Sequence, residues 1–348
     1  MRQAARRDRL TTTGSNDEGA LGDERVLVVG AGSLGSVYGA LLARSGLDVQ
    51  LFAREAHARA IQSAGGIAVE SGGESTVVPV RAEWRPERIE PADVVVVLTK
   101  TPDTEAALSS LAHVRDGIRL AVSLQNGVAK DDVLGRWCGG DAVVGGTSMV
   151  GGTLRAPGAV VHTSAGVTVL GELSGGSSPR VDRFAALLES AGLPTVVSDD
   201  VRAVEWAKLV HAVPTMAVPA LVRLPLHRCL IERPLAEVYV RLVREGVAVA
   251  RATGVEVDDG PIGYPVREIA AAPDEQAVAL VQEHGRRLER AGMTEIRVSM
   301  LQSIERGRRT EFDAVHGFLV REAERVGVAV PATRLCAQLL AGLDGTLA

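Results

Sequence analysis

Residues 1–22 (MRQAARRDRLTTTGSNDEGALG) show no apolar period, and their mix of Gly, Ser, Thr, Asp and Arg predicts a flexible tail. From residue 25 the pattern changes. RVLVV predicts a strand, GAGSLG follows it, SVYGALLARSG carries helical spacing up to Gly46, and DVQLFA predicts a second strand. Strand, glycine-rich turn, helix and strand make a βαβ unit. IAVES predicts a third strand with TVVPVRA beside it. DVVVVLTK (93–100) is apolar without interruption, as in a parallel strand covered on both faces. Residues 103–111 read as a helix, IRLAVSLQNG and DAVVGGTSMV as strands, and GAVVHTSAGVTVLGE (158–172) as two strands paired in a hairpin. The repeated β-then-α order predicts an α/β fold with a Rossmann-type, doubly wound parallel sheet over residues 23–197.

The texture shifts after PTVVSDD. VRAVEWAKLVHAV, ERPLAEVYVRLVREGVAVARATG, DEQAVALVQEHGRRLERAG, RTEFDAVHGFLVREAERVG and PATRLCAQLLAGLDG carry helical periodicity, with Pro234 and Gly254 as start and stop signals of the second. Residues 198–348 are therefore expected to form an all-helical C-terminal domain.

Composition narrows the classes. A chain of 348 residues suits about two domains. With 46% hydrophobic and 23% charged residues it is not a largely disordered chain, and a net charge of −5 argues against a general nucleic-acid binder. No run of 18 apolar residues predicts a membrane span. Cys138, Cys229 and Cys336 are widely spaced and form no CxxC, so neither a disulfide framework nor a metal site is expected. Free thiols and an N-terminal segment without an apolar core point to the cytoplasm. Lysine occurs only at Lys100, Lys130 and Lys208, and asparagine only at Asn16 and Asn126. A GC-rich coding bias explains the scarcity, and the residues that survive it invite a reason at their positions.

Gly30-Ala31-Gly32-Ser33-Leu34-Gly35 fits GxGxxG between a strand and a helix. The first glycine permits the tight turn, the second lets backbone approach a pyrophosphate, and the third lets helix and strand pack closely. The helix start then offers unpaired N–H groups to phosphate. The second strand ends Phe52-Ala53-Arg54, and an arginine there suits the 2′-phosphate of NADPH/NADP; a solvated arginine is the plain alternative, and Glu55 could instead reach a ribose and favour NAD. Lys100 ends a strand and would face the ligand crevice, or simply solvent. Asn126 is either an amide at that crevice or the Asn of an Asn-Gly turn.

Together RVLVVGAGSLGSVYGALLARSG, VQLFAR, VVLTK, SLQNGV, VEWAKL, SMLQS, RRTEFDAVHGFLVREA and GVAVPAT resemble the ketopantoate reductase (2-dehydropantoate 2-reductase) family over about residues 25–335. The resemblance implies a Rossmann domain, a helical domain, and NADPH-dependent reduction of a 2-oxo acid in the cleft between them. It implies a catalytic lysine at Lys208, an acidic partner at Glu311, substrate contacts from Ser299 and Asn126, and cofactor contacts from Arg54, Lys100 and Asn126. The partner it implies is a small molecule, and a homodimer is compatible with it. The family's substrate-side amides are replaced here by Ala212, Met216 and Leu226, and SMLQD reads SMLQS, ending in Ser303. Losing several amides together points to a larger or more apolar substrate, a different C=O or C=N group, or a dinucleotide-binding protein without turnover. In the enzymatic reading Lys208 neutralises the developing alkoxide, and Glu311 orients Lys208 or holds a substrate hydroxyl. A helix-starting acid is the structural reading of Glu311. His211, one turn beyond Lys208, reads as a packed histidine before a catalytic one.

Overall fold

A computed structural model describes residues 24–347; the tail expected over residues 1–22 lies outside them. The strands are β1 (Arg25–Val29), β2 (Asp48–Phe52), β3 (Ile67–Ser71), β4 (Glu74–Val78), β5 (Arg81–Glu83), β6 (Val94–Val97), β7 (Leu120–Ser123), β8 (Val143–Ser148), β9 (Gly151–Ala156), β10 (Ala159–Ser164), β11 (Thr168–Gly171) and β12 (Thr195–Val197). Helices α1 (Ser33–Arg44), α2 (Glu55–Ala64), α3 (Thr101–Ser110), α4 (Lys130–Cys138) and α5 (Pro179–Ser190) are interspersed with them. From Val201 onward only helices follow: α6 (Val201–Val222), α7 (Leu226–Ile231), α8 (Arg233–Ala252), α9 (Val266–Ala271), α10 (Asp274–Arg290), α11 (Ser299–Glu305), α12 (Phe318–Val326) and α13 (Pro331–Asp344), with a π turn at Asp313–Gly317 before α12.

Eight strands form the main sheet in the order β12-β11-β8-β7-β6-β1-β2-β5. Every pair from β8 to β5 is parallel, whereas β11 runs antiparallel to β8. The chain winds outward from β1 to β2 and β5, then returns to the other side of β1 with β6. The β1–β6 junction is therefore the switch point of a doubly wound sheet, outside whose carboxyl ends a ligand crevice lies. Val26–Val29 and Val94–Val97 are buried because helices cover both faces, and each such valine contributes about 1.5–3 kcal/mol of burial. The two faces feed separate apolar clusters, one built around Leu42, Leu51 and Phe184 and the other around Leu27, Leu108 and Leu111.

IAVES and its neighbour lie side by side, as expected: β3 and β4 pair antiparallel in a second, four-stranded sheet of order β4-β3-β10-β9, and the short β5 takes the main-sheet edge beside β2. One expectation needs correction. Residues 158–172 are not a hairpin. β10 pairs with β9 across the Pro157-Gly158 turn, where Gly158 supplies φ +78°, while β11 joins the main sheet. Gly166 makes the crossing, because a Cβ there would run into the Met149 carbonyl. The hairpin was misplaced by one strand because GGTLRA has a weak strand pattern.

The helical region packs around α6, which is buried on most of its surface, as suits a helix apolar all round. Asp200 caps it, its carboxylate accepting from the Ala203 N–H at 3.1 Å. Glu205 and Lys208 are the charged groups on its buried stretch. No helix among the described residues is long and apolar enough to cross a membrane.

Candidate active site

The glycine loop closes the switch point. Gly30 has φ +91°, and a Cβ on it would strike the Thr99 backbone at the end of the neighbouring strand; a Cβ on Gly35 would strike the Gly30 carbonyl. Gly32 differs, since a Cβ there meets nothing within 4 Å. This glycine is not required by the protein's own packing, and the space it leaves lies at the start of α1. That helix has no side-chain cap and no acidic residue in its first turn, so its leading N–H groups stay available to an anion. Loop and helix start thus fit the pyrophosphate of a dinucleotide. His57 steadies the loop: its Nδ1 accepts from the Gly158 N–H at 2.9 Å, its Nε2 lies 2.9 Å from Ser36 Oγ, and Ser36 donates to the Ala31 carbonyl. Ser33 Oγ accepts from the Leu154 N–H, tying the loop to the second sheet.

Arg54 follows β2 as the N-cap residue of α2, with its side chain 80% exposed and one guanidinium nitrogen 2.9 Å from Asp103. Such an exposed pair is worth at most about 1 kcal/mol, so a phosphate can displace it. Glu55 is taken by Arg59 at 2.8 Å. Gln125, unremarked in the sequence, ties together the ends of β6 and β7: its amide donates to the Thr99 carbonyl (2.7 Å) and Thr104 Oγ1 (2.7 Å), and its oxygen accepts from Ser123 Oγ (2.9 Å). Asn126 stands beside it, half-buried, and Gly127 (φ +91°) lets the Asn-Gly turn pass close to the Ala314 carbonyl of the π turn.

The helical region meets this edge through side chains. Lys100 donates to Ser303 Oγ at 2.9 Å. Glu311 Oε1 accepts from Thr101 N (3.2 Å) and Thr101 Oγ1 (3.3 Å), so the carboxylate caps α3 from across the cleft. Lys208 donates to the carbonyl of Ser148, the last residue of β8, at 2.7 Å, and Tyr38 of α1 donates to Ser148 Oγ at 2.7 Å. The ammonium therefore sits at the carboxyl end of the parallel strands, on the edge that carries the glycine loop. Burial, then the ammonium of Lys130, brings Lys208 down to about 8, against the pull of Glu205 and Glu311. Ser299 begins α11 exposed, and its hydroxyl meets no partner among the described residues. His211 is packed: its ring lies 4.2 Å from that of Tyr264, and burial holds it down to about 3. Ala212 and Leu226 are buried in the apolar cluster around α6, and Met216 packs against that cluster.

Sequence reasoning passed over one group. Lys130, at the start of α4, points inward, with Nζ 2.5 Å from Glu205 Oε1 and 2.9 Å from Asp131 Oδ1. The Gly146 N–H also donates to Glu205 at 2.8 Å. Burial works against charge on both groups, yet the two carboxylates hold Lys130 above its ordinary value, and the Lys130 ammonium pulls against the rise that burial imposes on Glu205. The rarity of lysine in the chain was the available signal.

Comparison with known proteins agrees with this architecture. A family model described as "Ketopantoate reductase PanE/ApbA" matches residues 26–175, and one described as its C-terminal domain matches residues 200–344. Proteins named 2-dehydropantoate 2-reductase are similar along nearly their whole length: one from Archaeoglobus fulgidus at 31% identity (93% of this chain, 99% of that one) and one from Halobacterium salinarum at 33% (92% and 100%). Among solved structures, a PanE/ApbA family ketopantoate reductase from Ralstonia eutropha superposes with TM-score 0.77 at 31% identity (92% of this chain, 98% of that one). A D-mandelate dehydrogenase with NADH and anilino(oxo)acetate shares the fold at TM-score 0.81 and 20% identity (93% and 99%). The two family matches and the full-length similarity place the chain in the ketopantoate reductase PanE/ApbA family of oxidoreductases.

Proposed function

We propose that the protein is an NADPH-dependent reductase of a 2-oxo acid, with ketopantoate as the first substrate to test. The observation that carries this reading is the Lys208 ammonium on the Ser148 carbonyl, at the sheet edge where Gly32 leaves room for a pyrophosphate. When bound, the nicotinamide supplies the hydride. The chain supplies the rest. Gly30, Ala31, Gly32, Ser33, Leu34 and Gly35 give the backbone cradle, and Arg54 gives a planar fork of donors for a 2′-phosphate. Lys100 and Asn126, at the carboxyl ends of β6 and β7, are assigned to ribose and substrate. Lys208 donates a proton to the carbonyl oxygen as the carbon accepts hydride, so that C=O, hydride and proton together become CH–OH. An amine near 8 is mostly charged at neutral pH and still gives up its proton readily, which suits this task. Glu311 holds the helical region against α3 and adds negative charge that keeps Lys208 protonated. Ser299, exposed at the start of α11, is the hydroxyl we assign to substrate contact.

A second reading has its own support. Ala212, Met216 and Leu226 stand where the family pattern has amides, and Ala212 and Leu226 are buried among apolar side chains. Apolar side chains at these positions favour a substrate bulkier or less polar than ketopantoate. The experiment is NADPH oxidation with ketopantoate and a panel of branched and aryl 2-oxo acids, with NADH and Lys208→Ala as controls. Turnover of ketopantoate supports the first reading, and turnover only of bulkier acids the second. Binding of NADPH without turnover of any panel member overturns both.

A further inference from the structure

Lys208 is a lysine pointing into protein, yet among the described residues no carboxylate lies within salt-bridge distance of it. A carboxylate stands one turn away on the same helix. Glu205 and Lys208 are three positions apart on α6, the spacing at which oppositely charged side chains ordinarily pair. They do not pair because each grips β8 separately: Glu205 accepts from the Gly146 N–H at 2.8 Å, and Lys208 donates to the Ser148 carbonyl at 2.7 Å. The remaining capacity of Glu205 goes to Lys130, at 2.5 Å, with side chains only 2% and 3% exposed. Asp131 adds a second carboxylate to Lys130 at 2.9 Å. A buried charge needs a partner, and Lys130 takes the one Lys208 would otherwise take.

We propose that Lys130 is a positioning residue for Lys208: by occupying Glu205 and placing a second buried ammonium beside α6, it keeps the Lys208 amine free of a carboxylate partner, on the Ser148 carbonyl at the sheet edge, and ready to release its proton. The proposal rests on the reading of Lys208 as proton donor. Several elements bring charged or titratable groups to Lys208. Lys130 lies on α4, Glu205 and His211 on α6, Glu311 on the segment before the π turn, and Tyr38 of α1 meets it at Ser148, its phenol kept neutral by burial; the Ser148 carbonyl on β8 is polar but uncharged. Removing Lys130 takes away the nearby positive charge and frees Glu205 to reach Lys208. Both changes raise the affinity of Lys208 for its proton. Removing the charge of Glu205 does the opposite.

The chain has only three lysines, so selective 13Cε-lysine labelling gives three side-chain NMR signals, each assignable by substitution, and the Lys208 signal reports its titration without any turnover. We expect Lys130→Met to move the Lys208 midpoint up by about one pH unit, Lys130→Arg to leave it near the wild-type value, and Glu205→Gln to move it down. In the presence of substrate the basic limb of the pH–kcat/KM profile moves in the same directions. Lys130→Met strands a buried carboxylate and can cost the fold. The comparison is therefore repeated in a second background: Glu205→Gln keeps an oxygen for the Gly146 N–H, and adding Lys130→Met to it should again raise the midpoint. A Lys208 midpoint unchanged by loss of Lys130 in both backgrounds overturns the proposal. If the midpoint shifts as expected while no 2-oxo acid is reduced, the positioning role stands and the proposed reaction falls.

Discussion

The sheet region and the helical region prepare the same cleft by different means. On the sheet side the work is done by backbone: a positive φ at Gly30, an open face at Gly32, and a helix start without a cap. On the helical side it is done by a few charged side chains held in an apolar interior, where each partner decides the protonation of the next. Steric rules act locally and are steep, so the first kind of site tolerates little variation in sequence. Electrostatic arrangements depend on what the fold brings together from distant positions, so the second kind can be re-aimed by one substitution.

Breaking the helical side should give the largest effect. Lys208→Ala is expected to lower kcat by about 10²–10⁴, the range for loss of a positioned acid, while NADPH affinity measured by fluorescence stays within a few-fold of wild type. Equal loss of both would mean that the lysine serves binding instead. With the wild type, rate should hold level at neutral pH and fall above about pH 8, because the reducing direction needs the charged amine.

The sheet side is tested by two glycines. Gly30→Ala forces a positive φ and a collision with the Thr99 backbone, so stability in urea should drop by more than about 1 kcal/mol. Gly32→Ala meets no protein atom, so it should unfold at nearly the wild-type midpoint and yet bind dinucleotide at least tenfold more weakly, because the methyl group fills the phosphate's space. A Gly32→Ala protein that binds normally would remove the basis for the cradle. Next in size, Arg54→Gln should raise the Kd for NADPH about ten- to hundredfold, as expected for loss of a charged hydrogen-bonding partner, and leave that for NADH nearly unchanged. Equal effects on the two cofactors would count against the 2′-phosphate role.

The smallest effect concerns acid stability. His316 is fully buried in the π turn, its Nε2 donates to the Val213 carbonyl at 2.7 Å, and burial holds it down to about 4. A group with a depressed value in the folded state stabilises fully above its unfolded value, near 6.5, and that contribution is lost as pH falls toward 4. At its limit this amounts to about 1.4 kcal/mol for each pH unit, because the unfolded chain takes up the proton first. Urea unfolding of His316→Gln between pH 7 and pH 5 should show a shallower pH slope than the wild type.

The regular parts of this picture were legible in the sequence because their causes are local. Uninterrupted valines announced β6, GxGxxG between strand and helix announced the loop, and Pro234 with Gly254 bracketed α8. The hairpin placed at residues 158–172 failed because a weak strand at β9 hid behind Gly151 and Gly152, and because crossing between two sheets leaves no pattern in either one. At the site, Lys208 stood out as a rare lysine in a distinctive segment. Glu205 did not, because a lone glutamate on a helix reads as solvated until a distant lysine is seen to reach it. Glu311, read from the sequence as orienting Lys208 or holding a substrate hydroxyl, also bonds to Thr101, a contact no spacing rule could supply across 210 positions.

That last contact has a kinetic consequence. The bonds closing the cleft, Lys100 to Ser303 and Thr101 to Glu311, join residues 203 and 210 positions apart, whereas the glycine loop is stitched mainly by neighbours within the first hundred or so. Contacts that close long stretches of chain come late in folding, since their entropy must be met before they return anything. A refolding chain should therefore regain its grip on dinucleotide before it regains turnover, and the lag between the two measures how long the halves take to find each other.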